Sequence, residues 1–347
     1  MSKATHLEDA FEQLSIDTQA NKRDQLALSK SVRALVDSSR QYHAITFSCR
    51  RDHILVEFRY RISTKRVVYA GVDWNSEVVV SNVDCMSKYE PDKTVEISVK
   101  RQCELIKSED YEKMAFDDLA IAWKNPKQKV EAFSFEYCAD NANISRTIQD
   151  IESSKRYYEK IRALLGSLDH KLFTRKLKLV VEDPEDVMAI LPHLMPVFLQ
   201  EITIRAENPS EIWLDKENIN KIVNSEQWMK AKTSLRTQNI FAFLPIENLM
   251  NFERLHIKEC SVDAELLFKL GELFSKSANF FKCYIESKDK FDAEVLAEHA
   301  GERAPSTRWS SNVRHYQLPD SDKFLEFQFH GDTISIRRYP NNIILSI

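Results

Sequence analysis

The sequence predicts an α/β protein: a short N-terminal helical segment and a β-rich connector, then an irregular solenoid of alternating strands and helices. Two observations carry this reading. Short strands with the spacing apolar-x-x-apolar-x-apolar recur down the second half of the chain, with segments of helical periodicity between them. Glycine is scarce, with only Gly71, Gly166, Gly271, Gly301 and Gly331, each alone. Backbones that wrap phosphates or present a strained nucleophile need clustered glycines. There is accordingly no G-x-G-x-x-G, no Walker-type loop and no G-x-S-x-G elbow.

Residues 1–40 read as helical, with Leu28, Val32, Leu35 and Val36 forming one apolar stripe. Strands follow in HAITFSC, HILVEFRY, RVVYAG and SEVVVSNV, rich in β-branched and aromatic residues. Between the last two, GVDWNS has the composition of a hairpin loop. Residues 84–125 predict one strand, TVEISV, and one helix, YEKMAFDDLAIAW.

From Val130 the alternation is regular. Val130-x-x-Phe133-x-Phe135-x-x-Cys138 precedes a long helix around IQDIESSKRYYEKIRALLGSL. Leu177-x-Leu179-x-Val181 precedes helix PEDVMAILPHL, where Pro184 at the start lacks only an N–H that would be unpaired anyway. Leu199-x-x-Ile202-x-Ile204, a helix NINKIVNSEQW and a weaker strand near Thr233–Leu235 come next. FERLHIKEC and FFKCYIES flank helix DAELLFKLGELF, and KFLEFQFHGDTISIRRY predicts a hairpin turning at Gly331-Asp332. Phe252-x-x-Leu255-x-Ile257-x-x-Cys260 fits the leucine-rich-repeat strand, whose alternate apolar side chains enter a solenoid core. Aligning Leu177, Ile202, Thr233, Leu255 and Cys283 gives steps of 25, 31, 22 and 28 residues, close to that repeat length. A generic α/β sheet predicts the same elements, but the low glycine count and the recurring motif favour the solenoid.

With 347 residues, 43% hydrophobic and 29% charged, the chain can bury a substantial core. No apolar run approaches the roughly 20 residues of a membrane helix, and the N-terminus lacks a secretory pattern. A net charge of −4 argues against nucleic-acid binding through phosphate neutralisation. Basic pairs such as Arg50-Arg51 and Arg175-Lys176 read as solvated faces. The six cysteines are scattered without a C-x-x-C pair, as in a reduced cytosolic or nuclear protein. None of the nine histidines has metal-ligand spacing, and His256 reads as a solvated residue between Leu255 and Ile257. No metal, cofactor or catalytic group is expected, and Trp228 reads as an anchor of helix to sheet.

Glu226-Gln227-Trp228 followed by Ala231-Lys232 resembles the E-Q-W-x-x-A-K signature of the FTH domain of nematode F-box proteins. Phe252-Glu253-Arg254-Leu255, Val262-Asp263 and the segment Phe274 to Phe280 extend the likeness. It runs less sharply back to about residue 150 and forward to the C-terminal hairpin. In that family an F-box, a helical motif that docks on the Skp adaptor of cullin ubiquitin ligases, precedes the domain. Here residues 26–37 resemble the final F-box helix, so the resemblance makes Leu28, Val32, Leu35 and Val36 the adaptor-binding residues. Leu7, Phe11 and Leu14 fall where the first helix would lie. There is no Leu-Pro opening, Leu26 stands where Arg is usual, and the middle, SIDTQANKRD, is polar.

The expected organisation is therefore a degenerate F-box-like segment at 1–40, a β-rich connector at 41–125 and an FTH domain at 126–347. The resemblance implies a non-enzymatic substrate receptor of a Skp–cullin–F-box ligase that binds a protein target. The alternative is a stand-alone interaction module that has lost adaptor binding.

Overall fold

The computed structural model describes residues 42–60, 63–74, 100–138, 147–206, 209, 211–298, 302–303, 312–318 and 321–340. The helical stretch expected at 1–40, with Leu28, Val32, Leu35 and Val36, lies outside the described residues, as do SEVVVSNV and TVEISV.

In chain order the first elements are β1 (Ala44–Cys49), β2 (His53–Arg59), β3 (Ser63–Ala70), β4 (Lys100–Lys107), α1 (Tyr111–Trp123) and β5 (Lys129–Tyr137). The alternating part continues with α2 (Ile148–Gly166), β6 (Phe173–Val181), α3 (Pro184–Ile190), β7 (Glu201–Ala206), α4 (Lys216–Val223), α5 (Glu226–Lys230) and β8 (Ser234–Gln238). It ends with β9 (Arg254–Cys260), α6 (Ala264–Lys276), β10 (Lys282–Ser287), α7 (Ala293–Glu298), β11 (Glu302–Arg303), β12 (Val313–Gln317), β13 (Lys323–His330) and β14 (Thr333–Pro340).

Helix starts follow from side-chain caps. Thr147 with Asp150, and Asp183 with Asp186, form reciprocal capping boxes, and Asp263 accepts from the Leu266 N–H. Pro184 occupies the first turn of α3, as its missing donor predicts. The single helix expected over 218–228 is instead two, α4 and α5. The Ser225 hydroxyl accepts from the Trp228 N–H and, with extended backbone at Ser225, starts a new helix. The cap signal lay inside an apparently continuous apolar pattern.

All the described strands form one 14-stranded sheet, ordered β11-β12-β13-β14-β10-β9-β8-β7-β6-β5-β1-β2-β3-β4. The run from β10 through β5 to β1 is parallel throughout. The strands near 133, 177, 202, 255 and 283 are thus members of one sheet in chain order, as the spacing predicts. The sheet also crosses the boundary expected at residue 125, because β1 pairs with β5 as a further parallel strand, Ile45 opposite Phe133. In the connector, β3 pairs in parallel with β4, a strand rich in charged and polar residues that the sequence pattern does not mark.

Register corrects one alignment. Ile202 lies opposite Leu235, and Leu235 opposite Leu255, so Leu235 rather than Thr233 occupies the repeated position. The steps between Leu177, Ile202, Leu235, Leu255 and Cys283 then become 25, 33, 20 and 28 residues. All five side chains are buried in one row on the helix-packed face. The outer residues of the motif are buried too: Phe252 and Cys260 around β9, Leu199 before β7, and Phe280 before β10. Burying each such side chain is worth about 1.5–3 kcal/mol. The two-residue gap before Cys260 has a backbone cause. Glu259 takes φ 54° and the pairing with β10 shifts there, which returns Cys260 to the inner face.

Helices α2 and α6 close the inner face with Tyr157, Tyr158, Ile161 and Leu165, and with Leu267, Leu270 and Phe274. At the far end β14 pairs antiparallel with β10 and ends the parallel run. Its hairpin with β13 turns at Gly331-Asp332 as expected, with Gly331 at φ +59°. Among the described residues, no helix is long and apolar enough to cross a membrane.

Candidate interaction surface on the open face of the sheet

Strand side chains alternate between faces, so packing Leu177, Ile202, Leu235, Leu255 and Cys283 inward sends their neighbours outward. The middle residues of the motifs, Lys178, Thr203, Arg236, His256 and Tyr284, align in register across the opposite face. They are exposed or half-buried. Among the described residues this face carries no helix over β6 to β10, and its polar side chains form a surface of their own.

The face has two electrostatic halves. From β2 to β7 charges are paired: Glu57 takes Arg66 at 2.7 Å and Arg59 at 3.0 Å, Ser48 donates to Glu136 at 2.6 Å, and Lys176 lies 3.1 Å from Glu201. Arg175 and Lys176, expected to be solvated, belong to this network through Glu131. From β8 to β14 cations dominate. Arg236, Arg254, Lys258, Lys282 and Arg337 stand against two carboxylates on these strands, Glu259 at the bulge that ends β9 and Glu286, and Glu286 is 2.8 Å from Lys258. Arg254 lies over the exposed Phe281 ring at 5.8 Å from its centroid.

His256 sits in the middle of this half. It faces away from the core, as expected, but is half-buried rather than solvated, with its ring edge-on to Tyr284 at 4.9 Å. Its Nε2 is buried without a hydrogen-bond partner. Burial, with Arg236 and Lys258 adding repulsion, lowers its pKa from 6.5 to about 4. Burial and Arg337 also hold the Lys282 ammonium below its usual range. The unfolded chain therefore binds a proton at His256 below pH 6.5 that the folded chain refuses until about 4. Stability present above pH 6.5 is lost as pH falls toward 4, by on the order of 1 kcal/mol once solvent screening is allowed for. Urea midpoints for the protein and His256→Gln should converge between pH 7.5 and 5; parallel pH profiles would contradict this environment for His256.

The signature residues lie on the opposite, packed side. Gln227 is buried and donates from Nε2 to the carbonyls of Pro192 (3.0 Å) and Leu194 (2.9 Å). Trp228 is fully buried, edge-on to Phe252 at 5.4 Å, and its Nε1 donates to the Asn248 carbonyl at 3.2 Å. Ala231 is fully buried, while Glu226 and Lys232 are exposed, and the Lys232 carbonyl accepts from the Glu253 N–H at 2.7 Å. The motif ties α5 to the loops before β7 and β9, as the anchor reading of Trp228 expects.

Other titratable groups read as structural. Burial holds the Cys49 and Cys283 thiols protonated, the opposite of what a nucleophile needs. Burial and Asp183 push Asp186 up to about 8 while it accepts the Glu182 and Asp183 N–H groups in its capping box. Among the described residues, no three His, Cys, Asp or Glu side chains gather at a metal site. A groove of about 450 Å³ between α4 and the turn at Phe241–Phe243 is lined mainly by apolar side chains, including Trp213, Leu214 and Phe243.

Sequence reading passes over Arg236, Arg254, Lys282 and Arg337, which stand apart along the chain and form no basic run. For Arg236 the signal was present in the motif itself, as the middle residue of its triplet; Arg254 and Lys282 stand one position before their triplets, and Arg337 lies outside the repeat.

Residues 155–298 match the family model of the FTH domain. The match supports the resemblance drawn from the signature and runs from within α2 to the end of α7; β1 to β5 and the C-terminal hairpin lie outside it. No curated protein and no solved structure matches the chain.

Proposed function

We propose that the chain is a non-catalytic receptor subunit that holds a protein target on the open sheet face for a Skp–cullin–F-box ubiquitin ligase. The carrying observation is the asymmetry of the sheet: among the described residues one face is packed under helices, and the other carries none, is polar and is ordered by the same strand register. The FTH match adds support, since that domain is generally associated with F-box proteins. The strands and helices would then act as a leucine-rich-repeat-like scaffold, and ligation would follow from raised effective concentration of the target. In this reading the protein works in the cytoplasm or nucleus without cofactor or metal.

Adaptor contact falls to residues 7–37, with Leu28, Val32, Leu35 and Val36 as anchors and the polar rim adding little. The polar middle of that segment and its missing Leu-Pro opening favour the second reading, an interaction module without the adaptor. Calorimetry with a Skp-type adaptor decides between them. The full chain should bind, and Leu28→Asp with Leu35→Asp should abolish binding by burying two unpaired charges, costing several kcal/mol. Circular dichroism should meanwhile show an unchanged fold. An unaltered chain that gives no heat at micromolar concentration leaves the stand-alone module.

A further inference from the structure

We propose that the open face over β8, β9, β10 and β14 binds an acidic segment of the partner protein, a short run of Asp and Glu side chains lying across the strands. This rests on the reading of the open face as the target surface and names the chemistry of the target.

Three observations converge on it. First, cations outnumber carboxylates on these strands: Arg236, Arg254, Lys282 and Arg337 have no ion-pair partner among the described residues, Glu286 is taken by Lys258 at 2.8 Å, Glu259 sits at the bulge that ends β9, and Glu326, opposite Arg337 on β13, lies 3.3 Å from His315. Second, polar atoms are left unsatisfied at the same place. His256 Nε2, Ser335 Oγ and Arg337 Nε are buried without hydrogen-bond partners. Ser335 and His256 lie on either side of Tyr284 in register, and Arg337 lies opposite Lys282. Arg337 Nε can only donate, and Ser335 and His256 can each donate too, so an acceptor would suit all three. A carboxylate offers acceptors only, and also neutralises the surrounding cations. Third, positive charge is already disfavoured there: burial, then Arg236 and Lys258 against an opposing Glu286, lowers the His256 pKa, and burial with Arg337 lowers that of Lys282. An anion relieves that repulsion.

The size of the patch selects a peptide. Glu201 on β7 and Glu326 on β13 bracket it, and the strands between are spaced at about 4.8 Å. That leaves a width of about 15 Å, enough for about five extended residues. A polynucleotide would run on over the flanking carboxylates and meet a protein of net charge −4.

Fluorescence anisotropy of the full chain with labelled peptides of about ten residues, Asp/Glu-rich or Lys-rich, tests this, with a single-stranded RNA as a third probe. The acidic peptide should bind with affinity that falls as salt rises. Arg236→Glu with Lys282→Glu should weaken it at least about tenfold, while the exposed Lys124→Glu on the other side of the molecule leaves it unchanged. If the double variant does not fold, Lys282→Gln alone should still weaken binding severalfold. No acidic-peptide binding at about 100 μM, equal binding by the charge-reversed protein, or RNA displacing the peptide would each overturn the proposal. Adaptor calorimetry on the same samples keeps the two readings apart. Adaptor binding without peptide binding discards the acidic class and leaves the receptor; peptide binding without the adaptor does the reverse.

Discussion

Trp228→Ala is expected to destabilise the protein by about 3–5 kcal/mol, measured as the shift in urea unfolding. The indole is fully buried, packs edge-on against Phe252 and donates to the Asn248 carbonyl. Its loss opens a cavity between α5 and the loop before β9 and leaves that carbonyl short of a donor. Collapse is opposed on the neighbouring side, where Gln227 ties the same helix to the Pro192 and Leu194 carbonyls. The Trp228→Phe variant keeps a ring and should recover more than half of the loss. A Trp228→Ala protein within about 1 kcal/mol of the parent would mean that the signature is not a structural anchor.

Leu255→Ala should cost about 2–5 kcal/mol through lost burial and a residual cavity. Leu255 is 3% exposed and lies in the inner row between Leu235 and Cys283. The adjacent His256, on the open face, provides the control. His256→Ser loses an edge-on contact with Tyr284 but also removes a buried nitrogen without a partner, so its net cost should stay within about 1 kcal/mol. Solvent exposure of His256 alone would have placed that cost within about 0.5 kcal/mol. The half-buried ring explains the difference. Sensitivities in the reverse order would place β9 in the other register, with every side chain on the opposite face.

Local sequence carried the elements well where one physical signal dominated. Helix α2, strand β9 and the Gly331 turn were legible because apolar period, capping chemistry or a positive φ each act over a few residues. The division of α4 from α5 was hidden, since the Ser225 cap competes with an apolar pattern that continues through it. Strand β4 was hidden for another reason. KRQCELIK has little apolar alternation, and its place beside β3 is set by pairing across a long stretch of chain.

The sequence by itself determined which residues turn inward, because the spacing of Phe252, Leu255, Ile257 and Cys260 admits one buried face. It also settled the recurrence of strand and helix, and the signature that the FTH match supports. Only the tertiary structure decided that β1 joins the parallel run, that Leu235 rather than Thr233 holds the repeated position, and that Arg236, His256, Tyr284 and Arg337 share one surface. Burial is a property each residue carries in its own side chain, so it leaves a periodic trace in the chain. Register and lateral neighbours arise from hydrogen bonds between distant strands, and the outward positions they align are under no packing constraint that a single sequence would record.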